Sequence, residues 1–441
     1  MQVINFIHQL KWQDIPPEIQ QEGVRSLLDT VGTAIVGRNT KLSRIVSEYV
    51  VATYGNKGAA LWLDGREVSL PAAAFANGMT TDAMGIYGGH PLARGTAGAT
   101  LLATLLATIP SSVTGEELLC SWVMGFEIAF RAGIAVNQRD NTRAHTACAW
   151  NVIGSAAISA RLLKLSDTQT RHALGIAEYT APTAPITRTV AYPSMLRTGA
   201  GWAAQEGVTA ALLAQQGFTG APALNIEEQQ VADIWGDLGQ HWQLAKYYYK
   251  PYTVCRWMQA SLDAILAIRD DIQENLASIK KIQVYSFAVA TKEMSMGFPQ
   301  NTEEAQFSLK FGVAAMLVYG ELGSTLTFEN AFKDELVAHL YNCVEPIEEP
   351  EFSNIYPTRR LARVIIKTES GATYESGEIE EKWAATEPPT DAEIRAKFMA
   401  LTKGILPEKR LTALQEMVWQ CAHLGDISEL LQLVNQPKLT D

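Results

Sequence analysis

Three stretches of this chain place titratable or cationic side chains among residues that otherwise carry no charge. The first is Gly88-Gly89-His90-Pro91-Leu92-Ala93-Arg94-Gly95-Thr96. Its glycines let the backbone bend sharply, and His90 and Arg94 project from a turn. The second is Arg143-Ala144-His145-Thr146, just ahead of an apolar, small-residue segment. If that segment is a helix, His145 stands near its positive end, which favours a neutral imidazole and any bound carboxylate. A neutral imidazole suits general-base work near pH 7. The third is Tyr247-Tyr248-Tyr249-Lys250-Pro251-Tyr252-Thr253-Val254-Cys255-Arg256-Trp257, too aromatic for a solvated loop. Lys250 precedes proline and is held extended; burial would lower its pKa and an anionic ligand would raise it again. Each stretch also has a plainer explanation: a helix connection, a capping histidine, a lysine whose stem snorkels along apolar surface.

Other chemistries find no support. Gly199–Gly207 (GAGWAAQEG) offers a GxG, but no strand precedes it and the third glycine is misplaced for a dinucleotide turn. There is no GKS or GKT phosphate loop, no HExxH and no GxSxG. Cys120, Cys148, Cys255, Cys343 and Cys421 are scattered, with no CxxC pair, so no zinc or iron–sulfur site is expected. Acid–base chemistry with charge stabilisation remains.

The elements that must position these groups fall into two parts. Pro16-Pro17-Glu18 opens a helix, and Val24, Leu27, Leu28, Val31 and Ile35 follow at helical spacing. Segments 73–84, 98–109, 115–133, 147–163 and 201–216 mix Ala and Gly with Leu, Ile or Val and carry little charge. Such helices are buried on most sides, so residues 1–269 are expected to form a large helical bundle. After Arg269 the pattern changes. Residues 279–286 and 361–368 alternate like half-buried strands, and 373–376 can pair with the latter across Ser370-Gly371. Helical stretches at 303–319 and 331–342 complete an α+β unit over 270–405. Helices over 406–441 are expected to return to the bundle. The fold class is therefore mainly α, a helical bundle with a smaller α+β lid.

The bulk numbers agree. At 441 residues two domains are expected, and a net charge of −11 without a basic block argues against nucleic acid. An acidic protein that binds an anion must gather its few cations locally. No run of eighteen apolar residues and no signal peptide is legible, so no membrane and a cytosolic location are expected.

Taken in order, DTVGTAIVGR (29–38), AAFANGMTTDA (73–83), GFEIAFRAG (125–133), HTACAWNVIGSAAISARLLKL (145–165), GWAAQEGVTAALLAQQGFTGAP (201–222), KPYTVCRWMQASLDA (250–264) and TEEAQFSLKFGVAA (302–315) resemble the MmgE/PrpD superfamily. That resemblance implies a bundle with a lid, a homodimer, no organic cofactor, and a lyase or isomerase acting on a small carboxylic acid in the cleft. It points to His90, His145 and Lys250 as catalytic groups, with His145 as base and His90 as second acid–base group. Arg197 stands where relatives often have lysine; with Arg94, Arg256 and Cys255 it would bind substrate. Departures accompany the likeness. The family's aspartate position falls at Gly85, a tyrosine position at Phe311, a histidine position at Gln259, and a KGH sequence becomes Arg94-Gly95-Thr96. Each loss removes a proton donor or acceptor, and Asp82, one turn earlier, is the candidate to replace the aspartate. Two rivals stay open: a non-catalytic relative that binds a metabolite or dimerises, and a biosynthetic enzyme recruited to a less anionic substrate.

Overall fold

A computed structural model describes residues 2–55, 57–139, 145–272 and 275–437. Its long helices are α1 (Gln2–Gln9), α2 (Pro17–Gly37), α3 (Lys41–Thr53), α4 (Leu70–Asp82), α5 (Gly98–Thr108), α6 (Gly115–Arg139), α7 (Cys148–Leu162), α8 (Asp167–Thr180), the short α9 (Ile186–Ala191), α10 (Ala200–Gln215), α11 (Gln259–Arg269), α12 (Leu309–Tyr319), α13 (Glu335–Cys343), α14 (Asp391–Thr402) and α15 (Glu408–Trp419). The architecture is mainly α, with the bundle and smaller α+β part that the composition pointed to. Every residue of α5 except Leu106 is buried. Its threonines survive burial because Thr104 and Thr108 donate to the carbonyls one turn back, at 2.9 and 2.8 Å. Helix α6 is long and apolar enough to cross a membrane, yet 89% of its apolar window is buried inside the protein, as in a bundle's core helix.

Helix α10 runs through the middle of the bundle against α4, α5, α7 and α8. Glycines set the α4–α10 crossing: a Cβ on Gly78 would come within 2.7 Å of the Gly201 Cα. This close approach brings the C-terminal end of α4, carrying Asp82, against the chain that enters α10, carrying Arg197 and Thr198. Asp82 consequently accepts hydrogen bonds from the Thr198 amide (2.9 Å) and hydroxyl (2.8 Å).

Beyond a two-stranded ribbon of β1 (Ala59–Ala60) and β2 (Glu67–Val68), the sheet contains β3 (Ile279–Ser286), β4 (Val344–Glu348), β5 (Leu361–Thr368), β6 (Thr373–Glu375) and β7 (Ile379–Glu380). Their order is β4-β3-β5-β6, with β7 also on β5; β3 and β5 are antiparallel, Ile282 facing Ile366 and Val284 facing Val364. Strand β4 had no clear signal, since VEPIE mixes charge with proline; it is an edge strand parallel to β3, where a missing N–H is tolerated. The expected helix over 303–319 is split into Thr302–Ala305 and α12. The intervening turn points Gln306 back to the bundle, where its Nε2 donates to Ala83 O at 3.1 Å. The stretch expected over 331–342 is likewise two helices, Thr325–Ala331 and α13, the second capped by Asp334.

Helix α11 lies against β5 and α12, on the sheet side, while α14 lies along α2, on the bundle side. One continuous apolar core nevertheless runs through both parts.

Candidate active site

A cavity of about 330 Å³ opens where the turn after α4, the chain entering α10, the 248–257 segment and the residues preceding β5 converge. Among the described residues five cations line it (Arg94, Arg197, Lys250, Arg256 and Arg360) against a single carboxylate, Asp82. The local gathering of positive charge expected of an acidic protein that binds an anion is thus present.

Gly85 organises one group. With φ at +54° it occupies the left-handed region, and its carbonyl accepts a hydrogen bond from Lys250 Nζ. A Cβ here would stand 2.7 Å from Arg197 Nη2, so glycine at this position leaves room for the guanidinium. Arg197 donates from Nε to Asp82 O (3.1 Å) and from Nη2 to Gln306 Oε1 (2.6 Å). Its Nη1 is buried with no hydrogen-bond partner among the described residues. Burial pulls Lys250 down to about 8, reinforced by the charges of Arg197 and Lys397 and opposed by Cys255 and Asp82. Beneath the ammonium lies the Tyr87 ring, 5.6 Å from Nζ to the centroid, and the Tyr87 hydroxyl donates to Asp82 Oδ1 at 2.9 Å.

A second group is built on Glu381. Arg256 donates to its Oε1 from Nε (2.9 Å) and Nη2, and Arg360 donates to the same oxygen from Nη1 at 3.3 Å. The Arg256 guanidinium also stacks on Tyr248, 3.2 Å from carbon to ring centroid. Arg256 Nη1 and Arg360 Nε are buried without partners among the described residues. Burial pushes the neighbouring Cys255 thiol up, opposed by the Trp257 amide and by the Lys250, Arg197 and Arg360 charges.

Of the two histidines, His90 lines the cavity and His145 is not among the lining residues. His90 lines the cavity but is fully buried, its ring 4.8 Å from that of Phe130. The Ala93 amide donates to its Nδ1 at 3.1 Å, which leaves the proton of the neutral ring on Nε2. Burial, with the Lys246 and Arg131 charges, holds its pKa at about 3. His90 is therefore a neutral hydrogen-bond donor rather than a base, and the Gln243 amide lies near Nε2 without closing a hydrogen bond. His145 pairs through its backbone with Pro185 and is not among the lining residues, although Ala147, two residues on, is. Arg143 and Ala144, ahead of it, lie outside the described residues.

Arg94 is exposed at the rim, again with positive φ, at +57°. Of the departing positions, Gly85 and Thr96 line the cavity. Phe311 instead sits in an aromatic cluster with Phe298, Phe328 and Phe332. Gln259 ties down the 252–254 turn through Tyr252 O and Val254 O, both at 3.1 Å. Several cavity groups carried no recognised signal: Tyr87, Gln306, Tyr356 and Arg360, with Glu381 behind them. The doublet Arg359-Arg360 directly before an apolar strand was the one available cue, whereas Glu381 is hidden within the charged run 378–382. Among the described residues no three His, Cys, Asp or Glu side chains gather as metal ligands.

Comparison with known proteins gives the site its context. The MmgE/PrpD N-terminal domain family model matches residues 1–237, and the MmgE/PrpD C-terminal domain model matches residues 252–422. The chain is 24% identical to a cis-aconitate decarboxylase-like protein, oryM, of Aspergillus oryzae, over 98% of this chain and 96% of the relative. It is 24% identical to cis-aconitate decarboxylase of Homo sapiens (98% and 93%) and 23% identical to that of Aspergillus terreus (99% and 96%). With both family models matched in order across nearly its whole length, and the cavity at the junction of the two matched regions, this chain belongs to the MmgE/PrpD family.

Proposed function

We propose that the chain is a lyase that removes CO₂, or in a second version water, from a small carboxylic acid held in this cavity, without an organic cofactor. The observation that carries this is the surplus of buried cations whose N–H groups lack partners among the described residues, next to a lysine whose pKa lies near the working range. Unpaired buried donors are costly, and a carboxylate supplies the missing acceptors and charge. The names of the relatives support the lyase class.

In this mechanism Arg197 holds a substrate carboxylate through its free Nη1. As the carbon–carbon bond to the departing CO₂ breaks, its electron pair moves onto the remaining carbon framework. The adjoining carboxylate then carries an enediolate-like charge, which Arg197 and Lys250 stabilise. Lys250, as the ammonium, delivers the proton that quenches that carbon. His90 contributes a fixed Nε2–H and keeps its turn in shape through Ala93.

The placement of the two imidazoles favours one other reading, a protein that binds a carboxylate without transforming it. Incubation with cis-aconitate in D₂O, followed by proton NMR, separates the two. Loss of CO₂ or deuterium incorporation at carbon supports the lyase; a ligand-induced thermal shift without either supports the binder. We also propose that the chain forms a homodimer. Tyr179, Tyr192, Leu196 and Phe218, between 56% and 84% exposed, flank α8, α9 and α10 and leave apolar surface for a second copy to cover.

A further inference from the structure

We propose that Gln306 is a positioning residue for Arg197, its neutral amide fixing the guanidinium for a ligand without neutralising it. This rests on the cavity being a carboxylic-acid site and adds what keeps that site charged and aimed.

The first argument is charge. Arg131, Arg360 and Lys397 are buried, and each pairs with a carboxylate, Glu127, Glu381 and Asp29 respectively. Arg197 is buried too, yet among the described residues it donates only to neutral acceptors, Asp82 O at 3.1 Å and Gln306 Oε1 at 2.6 Å. The Asp82 carboxylate is turned elsewhere: the Thr198 amide and hydroxyl donate to Oδ2, and the Tyr87 hydroxyl donates to Oδ1. A buried cation without a counterion is costly, so this arrangement holds a charge open for an incoming anion.

The second argument is the chemistry of the amide. Gln306 Nε2 donates to Ala83 O and to Thr302 O, both at 3.1 Å. Two carbonyls thus dictate which end of the amide faces them, and only the oxygen is left for Arg197. A carboxylate of the same size would hold Arg197 more strongly, but it would turn lone pairs toward both carbonyls and neutralise the charge the ligand needs.

The third is geometry. Gln306 stands between Thr302–Ala305 and α12, and its own carbonyl accepts from the Cys255 amide at 2.8 Å. One residue therefore ties together the turn after α4, the chain entering α10 and the 248–257 segment. With Nε and Nη2 engaged, the Arg197 fork is fixed beside the Phe307 ring, 5.5 Å from carbon to centroid. Nη1 is then the nitrogen left for a ligand. Gln306 acts through Arg197.

The test titrates the full chain by calorimetry with cis-aconitate, citrate, malonate and acetate. For the acid that wild type binds most tightly, Gln306→Met should weaken binding by about threefold to tenfold, through a misaimed fork. Gln306→Glu should weaken it at least about tenfold further, because an internal carboxylate then competes with the ligand. A second readout is pH. Lys250 faces the charges of Arg197, Lys397, Asp82 and Asp29, the Cys255 thiol and the Tyr87 ring, and binding should weaken as its ammonium is lost above about pH 8. Gln306→Glu should move that weakening to higher pH, since added negative charge stabilises the ammonium, whereas Gln306→Met should leave it in place. Binding abolished in Gln306→Glu but kept in Gln306→Met supports the proposal. Equal losses in the two variants, or an unmoved pH dependence in Gln306→Glu, describe a merely structural residue and overturn it. Should Gln306→Glu fail to fold, as judged by circular dichroism, the double variant Gln306→Met with Arg197→Gln decides: it should bind no worse than Arg197→Gln alone, and additive losses overturn the proposal. Failure of wild type to bind any of the four acids overturns the functional reading itself, a result distinct from binding that ignores the substitutions at Gln306.

Discussion

Lys250 concentrates the chemistry of this site. It is buried, bonded only to Gly85 O among the described residues, and flanked by Arg197 and Lys397, and its pKa falls to about 8. As proton donor it must be ammonium, a form present below that value and lost as pH rises through it. In the free protein, kcat/KM should therefore fall about tenfold per unit above roughly pH 8. A bound carboxylate stabilises the ammonium, so the corresponding limb in kcat should move to higher pH. A pH–rate profile flat to pH 9.5 would remove Lys250 from the proton-transfer role. Lys250→Met should cost at least about a hundredfold in kcat while leaving the thermal midpoint unchanged or raised, since it removes a buried charge. Lys250 was legible because a lysine between tyrosines and proline stands out in the chain. The state of His90 was not, because its tautomer depends on the Ala93 amide and its titration on Phe130 and the surrounding burial.

At the scale of elements, helix α14 reaches back to the turn that forms the cavity wall. Lys397 Nζ pairs with Asp29 Oδ1 on α2 and donates to Ile86 O at 2.9 Å, while Asp29 Oδ2 accepts from the Gly88 amide at 3.2 Å. Burial pulls Lys397 down and pushes Asp29 up, each opposed by the partner's charge. Removing one member leaves the other charged and alone, at a cost of about 3–5 kcal/mol. Lys397→Met should lower stability by that amount in urea unfolding. The pair Asp29→Asn with Lys397→Met should cost clearly less, and a double variant as damaged as the single one would contradict the pairing. The start of α14 was readable after Pro388-Pro389, although the cap falls at Thr390, which closes a capping box with Glu393, and not at Asp391 as the sequence suggested. Its partner was not, because nothing local links residue 397 to residue 29.

For the whole molecule, the exposed Tyr179, Tyr192, Leu196 and Phe218 predict association. Sedimentation equilibrium should give twice the chain mass, and Tyr192→Asp should shift the population toward the chain mass; a wild-type protein at the chain mass throughout would exclude the dimer. The helical bundle, the β5–β6 pairing and the gathering of cations were all open to inference from composition, periodicity and turn residues. Such signals are local: an apolar period of 3.6, an alternation of two, a glycine where the chain reverses. Which cations share a cavity was settled by convergence of segments far apart in the chain. Arg197 meets Asp82 because Gly78 and Gly201 let two helices cross closely, and Arg360 meets Arg256 because both reach Glu381. Side-chain type is written along the chain, whereas burial, tautomer and partner are properties of what folds against it; only tertiary packing could place Arg360 in the site and leave His145 off its wall.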